Sequence, residues 1–123
     1  MAYLYAVLIY IASGVVALAV LEVMYCAVMG LRAAQVAGTL TPLAESIGKK
    51  FALIALVCDV LCNVIWTGVL FLELHSPIHE PTISQRLRRL VKGPDGWRKR
   101  LATWFAVNAL NSVSVGGPHI PLK

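Results

Sequence analysis

The chain is expected to fold as an all-α membrane protein: a two-helix transmembrane hairpin with a basic amphipathic helical C-terminal tail. Three observations predict this. Two long apolar runs, Ala2 to Leu31 and Phe51 to Leu72, each contain a single charged residue, Glu22 in the first and Asp59 in the second. About 20 apolar residues at 1.5 Å rise cross a hydrocarbon core roughly 30 Å thick, so each run can span. Charged residues are 14% of the 123 residues, against about 25% in a soluble domain, and they concentrate in the last third. A water-soluble bundle with so little remaining chain could not cover both runs on all faces.

The first run has no Lys or Arg before it and is about twice as long as a signal-peptide apolar core. It is therefore expected to be an uncleaved spanning helix. Good helix formers continue through Arg32-Ala-Ala-Gln-Val-Ala, and Gly38 is the expected stop. Thr41-Pro42 then reads as a helix start, with Thr as N-cap and Pro at the first position, where its missing N–H is not needed. The turn is short, so the helices should be antiparallel neighbours. The spans are placed at about residues 3–31 and 51–73, within a hairpin of residues 1–76, and the tail is 77–123.

The hairpin brings its carboxyl groups to similar depth. Glu22 lies about 15 Å inward from Arg32, and Asp59 about 13–14 Å inward from Lys50, at helical rise. Ala12, Ala19, Cys26 and Ala33 recur every seven residues around Glu22, a partly small-residue face that lets backbones approach in lipid. Ala52, Ala55, Asp59, Asn63 and Trp66 share a face of the second helix. Glu22, Asp59 and Asn63 are therefore the expected intramembrane polar contact, within the hairpin or at an oligomer seam, with Asn63 placed to hydrogen-bond the Asp59 carboxyl group. A proton or cation path is the sharper alternative, although one hairpin cannot enclose a pore. Cys26, Cys58 and Cys62 lie inside the apolar runs and are expected to be packing residues.

After Glu73 the chain turns polar. His75-Ser-Pro-Ile-His79-Glu-Pro81 has loose metal-ligand spacing, but its prolines make an interfacial linker the better expectation. Thr82 can cap a helix with Ile83, Leu87, Leu90 and Val91 on one side and Gln85, Arg86, Arg88, Arg89 and Lys92 on the other. Gly93-Pro-Asp-Gly96 breaks it. A second helix carries Trp97, Leu101, Trp104 and Phe105 at helical spacing, with Arg98, Lys99 and Arg100 at its start. Lys and Arg opposite Trp, Phe and Leu is the composition of a helix lying in a headgroup layer. Arg86, Arg88, Arg89, Lys92, Trp97, Arg98, Lys99, Arg100, Trp104 and Phe105 are accordingly the expected interface residues, facing anionic lipid rather than nucleic acid. The alternative is that the two helices pack on each other in water. Ser112 to Lys123, with Gly116-Gly117-Pro118, reads as a flexible end.

Eight of the eleven Lys and Arg residues follow the second run, three lie in the connection, and none precedes the first run. The positive-inside rule then places both termini in the cytoplasm and the connection outside. No phosphate loop, nucleophile elbow or triad is present in the sequence, so no enzyme activity, cofactor or metal is expected.

Phe71-Leu-Glu-Leu, Ser84-Gln-Arg-Leu-Arg-Arg-Leu and Asp95-Gly-Trp-Arg-Lys-Arg-Leu-Ala-Thr-Trp104 resemble small two-helix inner-membrane proteins encoded by tailed bacteriophages and prophages. The resemblance runs from about Lys50 to Asn111 and carries no functional residue. It implies a bacterial inner-membrane location, multi-pass. Among such proteins this architecture is similar to the two-helix class of holins, which implies holin-like oligomerisation and permeabilisation of the host membrane. A membrane-anchored binding or accessory module, for example in superinfection exclusion or as a small subunit of a bacterial membrane complex, is the alternative. A homo-oligomer or another membrane protein is the expected partner.

Overall fold

A computed structural model of the chain describes residues 1–73 and 79–122. Every regular element among them is helical. Helix α1 spans Ala2–Val36 and α2 spans Pro42–Leu70, and both are long and apolar enough to cross a membrane. His75 and the expected boundary at 76/77 fall outside the described residues.

Local chemistry sets the ends of these helices. At the end of α1, Gly38 has φ +73°, its N–H donates to the Gln35 carbonyl, and the Thr39 N–H donates to Ala34. This is a Schellman closure with glycine in the left-handed position. Thr41 caps α2, its hydroxyl accepting from the Ala44 N–H at 3.2 Å, and Pro42 follows it. A π-helical turn, Asn63–Thr67, interrupts α2 near its end. The helix then closes with a second Schellman pair, Leu72 N–H to Val69 and Glu73 N–H to Gly68. Here the left-handed residue is Leu72, at φ +51°.

The two helices lie antiparallel. Leu31 packs over Gly48, Trp66 covers Gly14, and the Tyr10 hydroxyl donates to the Ile65 carbonyl. A Cβ at Gly14 would sit 2.6 Å from Trp66 Cδ1, so the close approach requires glycine. The opposite flanks remain open. Tyr3, Ile9, Val16, Val23, Leu53 and Leu61 are all exposed, and only 6% of the most apolar stretch of α1 and 22% of that of α2 is buried.

The rest of the chain folds back beside the hairpin. Helix α3, Ile83–Lys92, begins with a capping box between Thr82 and Gln85. Helix α4, Trp97–Phe105, follows the Gly93–Gly96 break and continues into a π-helical turn, Ala106–Leu110. Helices of ten and nine residues are marginal alone. These two share a core in which Leu87, Leu90 and Val91 of α3 meet Ala102 of α4, Ala106 of the π-helical turn, Phe71 and Ile120.

The tail differs from its sequence expectation at two points. Its helices bury their apolar sides against each other and against Phe71, which is the packed alternative. Helix α4 and the turn after it direct Ala102 and Ala106 inward, leaving Trp97 and Trp104 exposed and Phe105 half-buried. The C-terminal segment is not a loose end. Asn111 holds Ile120 with two hydrogen bonds, Nδ2 to its carbonyl at 2.9 Å and Oδ1 from its N–H at 2.8 Å, and Ile120 is fully buried. The turn at Gly116 and Gly117 brings Ile120 back.

Candidate functional site

Three polar residues of the spans, Tyr25, Asp59 and Asn63, bond to the part of the chain that follows them. Asp59 sits on the flank of α2 that faces α3, and its Oδ1 accepts from the Ile83 N–H at 2.9 Å. Ile83 is the first residue of α3, and its N–H is one of the donors a helix start leaves without an internal partner. A carboxylate there also meets the positive end of the helix dipole. The apolar helix thus completes the start of the tail helix.

Asn63 is fully buried and donates from Nδ2 to the Glu80 carbonyl at 2.6 Å. It does not serve the Asp59 carboxyl group, as its position one turn away suggested. The approaching tail offers it a backbone acceptor instead. Tyr25, three residues after Glu22 on α1, donates to the Leu110 carbonyl at 3.1 Å and meets the His119 ring edge-on at 5.3 Å. Arg98 donates to the Phe71 carbonyl at 2.7 Å and to Leu72 at 3.2 Å, placing a cation where the backbone leaves α2.

Glu22 and Asp59 both line a cavity of about 550 Å³ between the hairpin and the tail. Its walls are apolar, from residues such as Leu18, Leu56, Leu87 and Phe105. Its polar groups include Tyr25, Ser84, Asn108 and His119. The two carboxyl groups do not bond to each other among the described residues. Glu22 accepts a weak contact from the Cys26 thiol at 3.8 Å.

A charge cluster joins the end of α2 to α3. Glu73 binds Arg86 Nη1 at 3.5 Å and also Arg89, which in turn binds Glu80. Arg86 belongs to the buried side of α3, with 2% of its surface exposed, rather than to the basic outer face expected of it. Burial lowers its guanidinium value, Glu73 and Glu80 oppose this, and Arg89 adds to it. Burial alone would lower Arg89 too, but its hydrogen bonds to Glu80 and Glu73 prevail and hold it above its ordinary value. Arg88, Lys92, Arg98 and Arg100 keep exposed positions, while Lys99 is half-buried beside Asp95 at 3.1 Å. Arg88 also donates to the His119 carbonyl at 2.9 Å.

His119 lies between Tyr25 and Ser84, whose Oγ is 3.0 Å from Nε2. Burial holds its imidazole below the ordinary value, and the positive charges of Arg88 and Arg32 push the same way. Because the folded value is lowered, an undocked tail takes up this proton first as pH falls. Docking of the C-terminal segment therefore keeps its full stability above about pH 6.5 and loses it as pH falls from there through the folded value. Amide exchange of this segment, corrected for intrinsic rates, should accelerate between about pH 7.5 and about pH 5.5. His119→Gln should remove most of that acceleration. Glu22 and Asp59 line the same cavity but are common to both proteins, so an unchanged pH dependence in the variant would exclude His119 as its source.

The sequence reading missed Tyr25, Glu73, Glu80 and His119 as members of this region. Tyr25 was accessible, being at i+3 from Glu22 on one helical face. His119 carried no local signal, because its position depends on the turn before it. Among the described residues, no group of three metal-ligating side chains comes together. No protein family, curated protein or solved structure matches the chain.

Proposed function

We propose that the chain is a small non-enzymatic integral membrane protein, of the two-helix kind carried by phages and prophages, that works as a membrane-anchored binding module in a bacterial inner membrane. The observation that carries this reading is the tail-roofed cavity against a hairpin whose other flanks expose apolar side chains along their length. Contiguous apolar surface on that scale needs lipid or a partner to cover it. The exposed Arg88, Lys92, Arg98 and Arg100 suit anionic headgroups.

Pore formation in the manner of a holin would draw polar residues to an outer seam between copies. Glu22, Asp59 and Asn63 instead face the tail or are buried by it, which favours the binding reading. Both termini are assigned to the cytoplasm from the 8:3 distribution of tail and connection charges.

The protein should remain in the membrane pellet after alkaline carbonate washing. A periplasm-active reporter should work when fused at Gly38 and fail when fused after Lys123. A periplasmic signal from the C-terminal fusion would invert the topology. Expression should leave the host membrane potential intact, and depolarisation by the wild-type chain would restore the holin-like reading.

A further inference from the structure

The chain has six acidic residues. Four of them are ion-paired: Glu45 with Lys49, Glu73 with Arg86 and Arg89, Glu80 with Arg89, and Asp95 with Lys99. The remaining two, Glu22 and Asp59, have no cationic partner among the described residues, and both line the same cavity. At about 550 Å³ this cavity falls in the size range of small-molecule sites, roughly 300–1,000 Å³, and shares their chemistry of apolar walls with a few convergent polar groups. A carboxylate in apolar surroundings is strongly stabilised by a counter-charge that arrives already stripped of water.

We propose that this cavity binds an amphiphilic organic cation, its alkyl chain among Leu18, Leu56, Leu87 and Phe105 and its ammonium group between Glu22 and Asp59. The assignment rests on the reading of the chain as a membrane-anchored binding module and names its ligand class. Charge complementarity decides against other amphiphiles. An anionic headgroup would meet two carboxyl groups, and a neutral chain would leave both without a counter-charge. Asp59 keeps its bond to the Ile83 N–H throughout, so the ligand adds to the junction between hairpin and tail.

The full-length protein in phosphatidylcholine nanodiscs tests this with tritiated dodecyltrimethylammonium, dodecanol and dodecyl sulfate, each corrected for uptake by empty discs. The cation should bind saturably, one per chain, and dodecanol and dodecyl sulfate at least about tenfold more weakly, the scale of one desolvated charge pair. Glu22→Gln with Asp59→Asn should weaken the cation by about tenfold or more and leave dodecanol unchanged. Asn retains an acceptor for Ile83, and Glu22→Gln alone, which touches no tail contact, should show the same direction if the double variant loosens the tail. Equal binding of dodecanol or dodecyl sulfate to the wild type, or undiminished cation binding by both variants, would overturn the assignment. Release of the protein by carbonate would overturn the anchoring on which it rests, whereas anchored protein that ignores the cation overturns this assignment alone.

Discussion

Glu73→Ala should release the tail helices from the hairpin. Glu73 is the carboxylate shared by Arg86 and Arg89. Arg86 is almost wholly enclosed, and its Nε has no hydrogen-bond partner among the described residues. Removing one member of a buried ion pair strands the other charge, at a cost of about 3–5 kcal/mol. Glu80 stays close enough to favour the Arg86 charge, so the lower end of that range, about 3 kcal/mol, is expected. Amides of α3 should then exchange faster by about two orders of magnitude in nanodisc-embedded protein. Replacing both partners with apolar residues, Glu73→Leu with Arg86→Met, should recover most of the loss, because desolvation is no longer opposed by a stranded charge. Unchanged exchange in Glu73→Ala would mean that the charge cluster does not hold the tail.

The second large effect is expected at Asp59, and it should depend on the acceptor rather than the charge. Asp59→Leu leaves the Ile83 N–H without its partner, which costs about 1–3 kcal/mol. It also removes a negative group from a helix start, worth about 0.3–1 kcal/mol more. Asp59→Asn keeps an oxygen in place and should lose only the dipole part. Limited trypsin digestion at Arg88 and Lys92 reports the difference: the Leu form should be cut much faster than wild type, the Asn form only slightly faster. Equal sensitivity of the two would place the effect in the charge. A Leu form as resistant as wild type would show that the contact contributes nothing to docking.

The parts of this architecture that local chemistry controls were legible in the sequence. The two apolar helices, the Gly38 stop, the Thr41-Pro42 start, the Thr82 cap and the Gly93–Gly96 break each follow from a few adjacent residues. The tail contacts were not, because periodicity identifies a buried face without naming what covers it. Asp59 finds a backbone N–H 24 residues on, and Asn63 a carbonyl 17 residues on. Composition alone could not separate Arg86 from Arg88 and Arg89, although spacing could have done so. Arg86 is three residues after Ile83 and four before Leu90, so it lies on the apolar side of α3. Gly116-Gly117-Pro118 has the composition of a flexible tail, and only the Asn111–Ile120 pair makes it a return.

The junction at Asp59 also sets an order of assembly. Helix α3 starts on a donor that only the hairpin satisfies, and the Glu80 carbonyl just before it is taken by Asn63 of α2. Both partners lie on α2, so they exist as a surface only once that helix has formed. Assembly is therefore sequential: the ribosome delivers the apolar helices first, in the proposed function to a membrane, and the emerging tail then condenses on a template already in place. A tail synthesised apart from its hairpin has the residues for two helices but lacks the template that orients them.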